Sequence, residues 1–414
     1  GVDLIMKRKL TVLISSIVAL SLMICSCEGK SDESNSSLSS DIKTDVSSDS
    51  LTDYGTEIST GMKKINFPTC ISSSESIISM ISVEESKCIM LVENSNDMLK
   101  KAARRIVLYD FAEEKMLAEQ TVECYTGGLY EYEHGVYFSG VTDSPFASER
   151  MPFKLPVLIS YDRELNIQQK YDFSVLGDKV SIEQAKLSYD GTKIAYLEDK
   201  SMYICDSGKP LSEGKCRFEL GTGKGLTAIS DFGFTQNGEK IVCTGKYNND
   251  GKSTSGYGCF DINGSNDGYG SNNFSEQFIL GGNKLLMIDE GAAYGSTSSG
   301  KAGLYYFENG TSNYENVTFD KKNESSAATL SNDGKYIISY LDGKSNDGKA
   351  MIRISIYSAD NRQKLLSYDY EGAGDVLNGE IIHASDKYNA VFVLVHDNGE
   401  SCLLKMLIDK DSEK

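Results

Sequence analysis

Tryptophan is absent from the 414 residues, and only three histidines and five prolines occur. Three histidines argue against a multi-histidine metal centre. Neither His-Glu-x-x-His nor Gly-x-Ser-x-Gly occurs, so the zinc-peptidase helix and the nucleophile elbow of hydrolases are both missing. No Cys-x-x-Cys pair is present, which removes zinc-ribbon and thioredoxin-like motifs. A membrane-spanning apolar run is also lacking, because Leu10–Ile24 is too short to cross a hydrocarbon core as a helix.

What is present begins with that short run. Lys7, Arg8 and Lys9 precede it, and a charged segment followed by an apolar one has the order of a secretory signal. The run ends Ile24-Cys25-Ser26-Cys27, which resembles the lipobox of bacterial lipoproteins: an aliphatic residue, any residue, a small residue, then cysteine. The resemblance selects Cys27 as the lipidated residue, since Ser26 supplies the small residue before the cut. It implies an exported protein held on the extracytoplasmic side of a bacterial membrane by its N-terminal lipid. Residues 28–60 are rich in Ser and Asp and poor in aromatic side chains, so they read as a solvated leash. The expected division is a signal over 1–26, a lipidated cysteine and linker over 27–60, and a folded domain over 61–414.

Removing residues 1–26 takes away three basic residues and one acid. It leaves 39 Lys+Arg against 59 Asp+Glu, a net charge of −20. That balance argues against nucleic acid as a partner. Eight cysteines remain after Cys27. Cys243 and Cys259 flank Asn249–Lys252 nearly symmetrically, which makes them the candidate disulfide across a hairpin. The alternative is free thiols acting as small core residues.

Abundant Gly, Ser, Asn, Asp and Tyr with scarce Pro favour many short strands joined by tight turns. An internal repeat organises them. LSYDGTKIAYL (Leu187–Leu197), LSNDGKYIISYL (Leu330–Leu341) and FTQNGEKIVC (Phe234–Cys243) share an apolar residue, a polar pair, an Asp/Asn-Gly turn and a strand. The glycine supplies the positive φ of a two-residue hairpin. Weaker copies lie at Ser82–Val92, Tyr132–Phe138, Leu280–Ile288 and His383–Leu394. Seven copies roughly 44 to 58 residues apart have the period of four-stranded propeller blades. The SxDGxxIAY element resembles the repeat of TolB-like or WD40-like (PD40) β-propellers, with Tyr, Asn or Gln where that family commonly has Pro. The resemblance implies an all-β, seven-bladed, monomeric domain, and implies little about function.

The segments between second and third strands read as long loops opening on one face: Glu93–Arg104, Thr142–Leu155, Gly245–Gly256, Asp289–Ala302 and Asp342–Lys349. The candidate binding residues on them are Arg104, Asp143, Arg150, Tyr247, Asp250, Tyr257, Asp289, Tyr294, Asp342 and Asp347. Tyr among small polar residues suits recognition of a protein or glycan. The alternative is a set of solvated hairpin tips. Asp261-x-Asn263-x-Ser265-x-Asp267-Gly268 spaces oxygen ligands as calcium loops do, but no Glu closes it, so a solvated loop is expected. No cofactor or catalytic residue is expected. The alternative function is an enzyme at the central channel, for which His383 and Glu183 would be the candidates.

Overall fold

A computed structural model describes residues 54–94, 101–143, 154–177, 182–220, 225–264, 266–272, 278–288, 301–307, 313–318, 327–345, 347–373 and 377–408. All of these belong to one compact unit, Thr52–Lys414. The expected signal, Cys27 and most of the leash lie outside the described residues, as do Arg150, Asp289 and Tyr294.

The chain is an all-β, seven-bladed propeller. Seven antiparallel sheets follow one another, six with four strands in simple meander order and one with five. Blade one runs Glu75–Ser82, Lys87–Asn94, Ala102–Asp110 and Lys115–Cys124. Its second strand (KCIMLVEN) is buried over five consecutive residues. A strand covered on both faces by neighbouring blades needs a continuous apolar run, not alternation. The core accordingly splits into seven hydrophobic clusters, each filling the seam between two adjacent blades.

The repeat motif makes the turn that leads out of each of the best-conserved inner strands. Ser188, Thr235 and Ser331 are fully buried. The backbone N–H of each donates to the carbonyl five residues on, closing a four-residue connection. Within it, Gly191, Gly238 and Gly334 donate back to those Ser or Thr carbonyls with φ near +70°. The connection is thus a type I turn followed by a left-handed glycine, longer by two residues than the expected hairpin.

Blade seven closes the ring with strands from both chain ends. Its order is Leu377–Ser385, Ala390–Asp397 and Glu400–Leu407, then Met62–Asn66 and Thr56–Ser59. Met62 pairs with Met406 and Asn66 with Cys402. Thr56–Ser59 thus joins the sheet from within residues expected to be linker, and Tyr54 just before it buries its ring against Phe111 in the seam between blades seven and one.

The expected long loop of blade four is a continuous hairpin. Lys240–Asn249 and Lys252–Asp261 pair along their whole length and are joined only by Asp250-Gly251, both with positive φ, as a type I′ turn requires. This register also decides the candidate disulfide. Cys243 faces Gly258, and Cys259 faces Val242. The one-residue offset sends the two thiols to opposite faces of the sheet, Cys243 into the seam with blade three and Cys259 into the seam with blade five. Both are free cysteines, as are the other six described.

Candidate functional site

The innermost strands of all seven blades line an axial cavity of about 550 Å³. One end is bridged by the repeat turns. Asn332 Nδ2 donates to Glu131 Oε2 from blade six to blade two, across the axis, and Gln236 Nε2 donates to Asp333 Oδ1 at 3.2 Å. Backbone bonds tie the turns further: Gln236 N–H to Gly282 O at 2.9 Å, Gly282 N–H to Asn332 O at 2.8 Å, and Asn332 N–H to Ala384 O at 3.2 Å. Gly282 and Gly334 let blades five and six approach this closely, since a Cβ on either would stand within 2.3 Å of a backbone oxygen. Burial holds the Glu131 carboxyl above the usual carboxylate range, with Asp333 adding to the rise and the Asn332 amide opposing it.

Midway along the channel, Lys186 is buried on the inner strand of blade three, Ile182–Leu187. Its ammonium lies 3.6 Å from Asp231 Oδ1 and 3.6 Å above the centroid of the Tyr130 ring, which stacks on Tyr137. Burial pulls this ammonium down, but Asp231 and the two tyrosines more than compensate and hold it above its ordinary value. On blade seven, His383 is buried and its Nε2 accepts the Ser82 N–H at 3.1 Å. Burial pushes its imidazole down to about 3, so the ring is neutral and already occupied as an acceptor. The side chain of Glu183 lies outside the described residues.

The described loop-face residues are spread over blades one, two, four and six. Arg104 is 1% exposed; it pairs with Glu93 at 2.7 Å and donates to the carbonyls of Cys124 and Tyr125. It is therefore held within blade one and at the connection that leaves it. Asp143 is the hub of a small network, accepting from Lys154 at 2.8 Å and Tyr125 OH at 3.1 Å, with Lys101 at 3.7 Å. Lys154 and Lys101 are thereby partly neutralised. These contacts, led by Lys154, hold the Asp143 carboxyl below its usual value.

Tyr247 and Tyr257 are buried on the long hairpin of blade four, and Tyr257 packs on Tyr305 of blade five at 4.2 Å. Asp250 sits in the turn of that hairpin. Asp342 is a strand residue that accepts the Tyr340 hydroxyl. Asp347 is exposed in the short connection of blade six and accepts the Ser345 hydroxyl. Asp261, expected on a calcium-like loop, accepts the Asn263 N–H and closes a turn, and no cluster of three His, Cys, Asp or Glu side chains occurs among the described residues.

Sequence reading missed Lys186 and Asp231. A usable signal was present: the residue two before the Ser or Thr of each strong repeat (Lys186, Gly233, Thr329) faces the axis, and Asp231 continues the period of two on blade four.

The fold thus defines the class, a seven-bladed β-propeller with a cavity on its axis. No family model matches the sequence, and no curated protein matches it. Among solved structures, the WD40 domain of SCAP from fission yeast is similar at 8% identity over 81% of this chain and 85% of that one, with a TM-score of 0.42. A prolyl endopeptidase structure is similar at 10% identity over 78% of this chain, with a TM-score of 0.44. The chain spans about half of that structure, 47%. The propeller assignment itself rests on the strand pairing described above.

Proposed function

We propose that this chain is a lipid-anchored bacterial envelope lipoprotein with a TolB-like or PD40-like propeller. In this reading the propeller acts as a non-catalytic module that binds a protein or glycan outside the cell. The observation that carries it is that the channel's buried carboxyl and imidazole, the groups suited to acid–base work, are engaged inside the protein: Glu131 with Asn332, and His383 with the Ser82 N–H. Acid–base or nucleophilic work requires a group positioned against substrate with its protonation state matched to the task, and a neutral imidazole engaged by a backbone donor is poorly suited to it. The lipobox and leash supply the anchoring half of the reading, and the acidic mature chain argues against nucleic acid. A monomeric domain fits this reading, since one chain supplies the strands of the closing blade from both ends.

Two measurements test it. Cys27→Ser should move the full chain from the membrane to the soluble fraction, and unchanged fractionation would remove the anchor. Photo-crosslinking in envelope extract should give a partner whose capture is lost when residues 95–100 and 144–153 are replaced by short turns. Capture that survives both replacements would place recognition elsewhere.

A further inference from the structure

The axial cavity is asymmetric in a way that specifies a ligand. Its open ionisable groups, Tyr130, Lys186 and Asp231, lie on blades two, three and four, while Glu131 is tied to Asn332 at the turn end and His383 on blade seven is engaged by the Ser82 N–H. The opposite wall is largely apolar, with Ile78 of blade one, Phe278 and Leu280 of blade five, and Ile381 of blade seven. The volume falls in the range of small-molecule sites and is far too small for a folded partner. The turn end is bridged by hydrogen bonds, and the other end is where Ile78 is 40% exposed and Ser230 is exposed.

The charges on the ionisable wall define what can enter. Lys186 and Asp231 are 3.6 Å apart, beyond a good hydrogen bond, so neither saturates the other. Asp231 Oδ1 already accepts the Phe232 N–H at 2.8 Å, yet 37% of the side chain remains exposed. A simple anion would meet Lys186 only by approaching the Asp231 carboxylate, and a simple cation would meet the reverse conflict. A neutral hydrocarbon would cover both charges and strip their water without replacing it. A molecule carrying both charges on adjacent atoms, with one apolar arm, satisfies both walls at once.

We propose that the axial cavity binds a free α-amino acid with a large apolar side chain. Its carboxylate meets Lys186, its ammonium meets Asp231, and its side chain lies against Phe278, Leu280 and Ile381. This site is separate from the loop-borne recognition of a macromolecule, and its test involves no envelope partner, so the two readings stand or fall independently.

The chain has no tryptophan, so Phe278→Trp places its only tryptophan on the cavity wall, where it can be excited selectively over the tyrosines. Titrating the full chain carrying that change with leucine or phenylalanine should give a saturable emission change, and calorimetry on the unchanged chain should give one site. Leucinamide and N-acetyl-leucine, each lacking one charge, should bind at least about tenfold more weakly. Lys186→Met should erase the preference for leucine over leucinamide, and Asp231→Asn the preference over N-acetyl-leucine. Should Lys186→Met fail to fold, Asp231→Asn carries the test, because its partly exposed carboxylate is the easier one to lose. Absence of saturable calorimetric binding at millimolar amino acid, or equal binding of leucine and its two singly charged analogues, would overturn the proposal.

Discussion

Lys186 and Lys405 are buried to nearly the same degree, at 6% and 8% exposure, and their surroundings push them in opposite directions. Lys186, on the channel wall, has a carboxylate at 3.6 Å and a tyrosine ring beneath it, and its ammonium is held above the ordinary range. Lys405, in the seam between blades seven and one, is held by neutral groups: the Tyr54 hydroxyl at 2.7 Å, the Glu85 carbonyl at 3.5 Å, and the Tyr54 and Phe392 rings. Burial, with some repulsion from Lys63 and partial relief from Cys88 and Glu85, pushes it down to about 8. Desolvation is common to both sites, so the counter-charge is what separates them. The ring is therefore closed by a joint in which a charged group is only partly compensated, and Tyr54, at the edge of the leash, is its main neutral partner.

The largest test of that joint is to remove it. Deleting residues 1–66 takes away Tyr54 and the strand Met62–Asn66, exposing Met406, Leu404 and Cys402 along the edge of Glu400–Leu407. An open sheet edge and an unfilled seam should abolish the cooperative thermal transition, whereas deleting only 1–51 should leave it intact. Equal melting of the two truncated chains would mean that the N-terminal strands are ornamental.

Next in size is the pair of substitutions that set the lysines against each other. Lys186→Met leaves Asp231 without its cation and should destabilise by about 1–3 kcal/mol, moderated by the exposure of that carboxylate. Lys405→Met removes an ammonium held at a desolvation cost and should be neutral or stabilising by about 1 kcal/mol. Urea unfolding of both variants checks the opposite signs. A similar loss in both would mean that volume, and not charge, governs these sites.

A smaller effect follows from pH. Because the folded-state value of Lys405 lies below its unfolded value of 10.5, the unfolded chain binds more protons between about pH 8 and 10. Stability should then rise with pH across that window, by roughly 1–2 kcal/mol from this group. Tyr54 acts with the reverse sign, since its hydroxyl is held above its ordinary value; its contribution is present below about pH 10 and fades above it. The difference in stability between the native chain and Lys405→Met, followed by urea midpoints from pH 7 to 10, isolates the lysine. A flat difference would refute the shift.

The sequence was informative wherever structure is local. Ser188, Thr235 and Ser331 mark the repeat because a buried hydroxyl and a left-handed glycine can be satisfied within six residues, so the pattern recurs intact. Ring closure was illegible for the converse reason. Met62–Asn66 finds its partner some 340 residues away, and nothing in MKKIN names it. The polar run from Gly245 to Gly256 reads as a loop by composition, yet it stays paired because a two-residue turn of Asp250-Gly251 carries the ladder beyond the hydrophobic seams. Lys186 looks like any surface lysine until its place two residues before the repeat's serine is converted into a direction, toward the axis.

The finest probe of the comparison is one hydroxyl. Tyr54 OH accepts from Lys405 Nζ and donates to the Glu85 carbonyl at 2.7 Å, while its ring packs on Phe111. Tyr54→Phe keeps the ring and deletes both bonds, which should cost about 1–2 kcal/mol by thermal or urea unfolding, since a buried ammonium and a carbonyl each lose a partner. In a Lys405→Met background the ammonium is already gone, so the same substitution should cost only about half as much. The shortfall in that double-mutant cycle measures how much of the closing joint is carried by the lysine–tyrosine bond. Strict additivity would assign the joint to ring packing alone and leave the buried lysine of the seam without a structural partner in energetic terms.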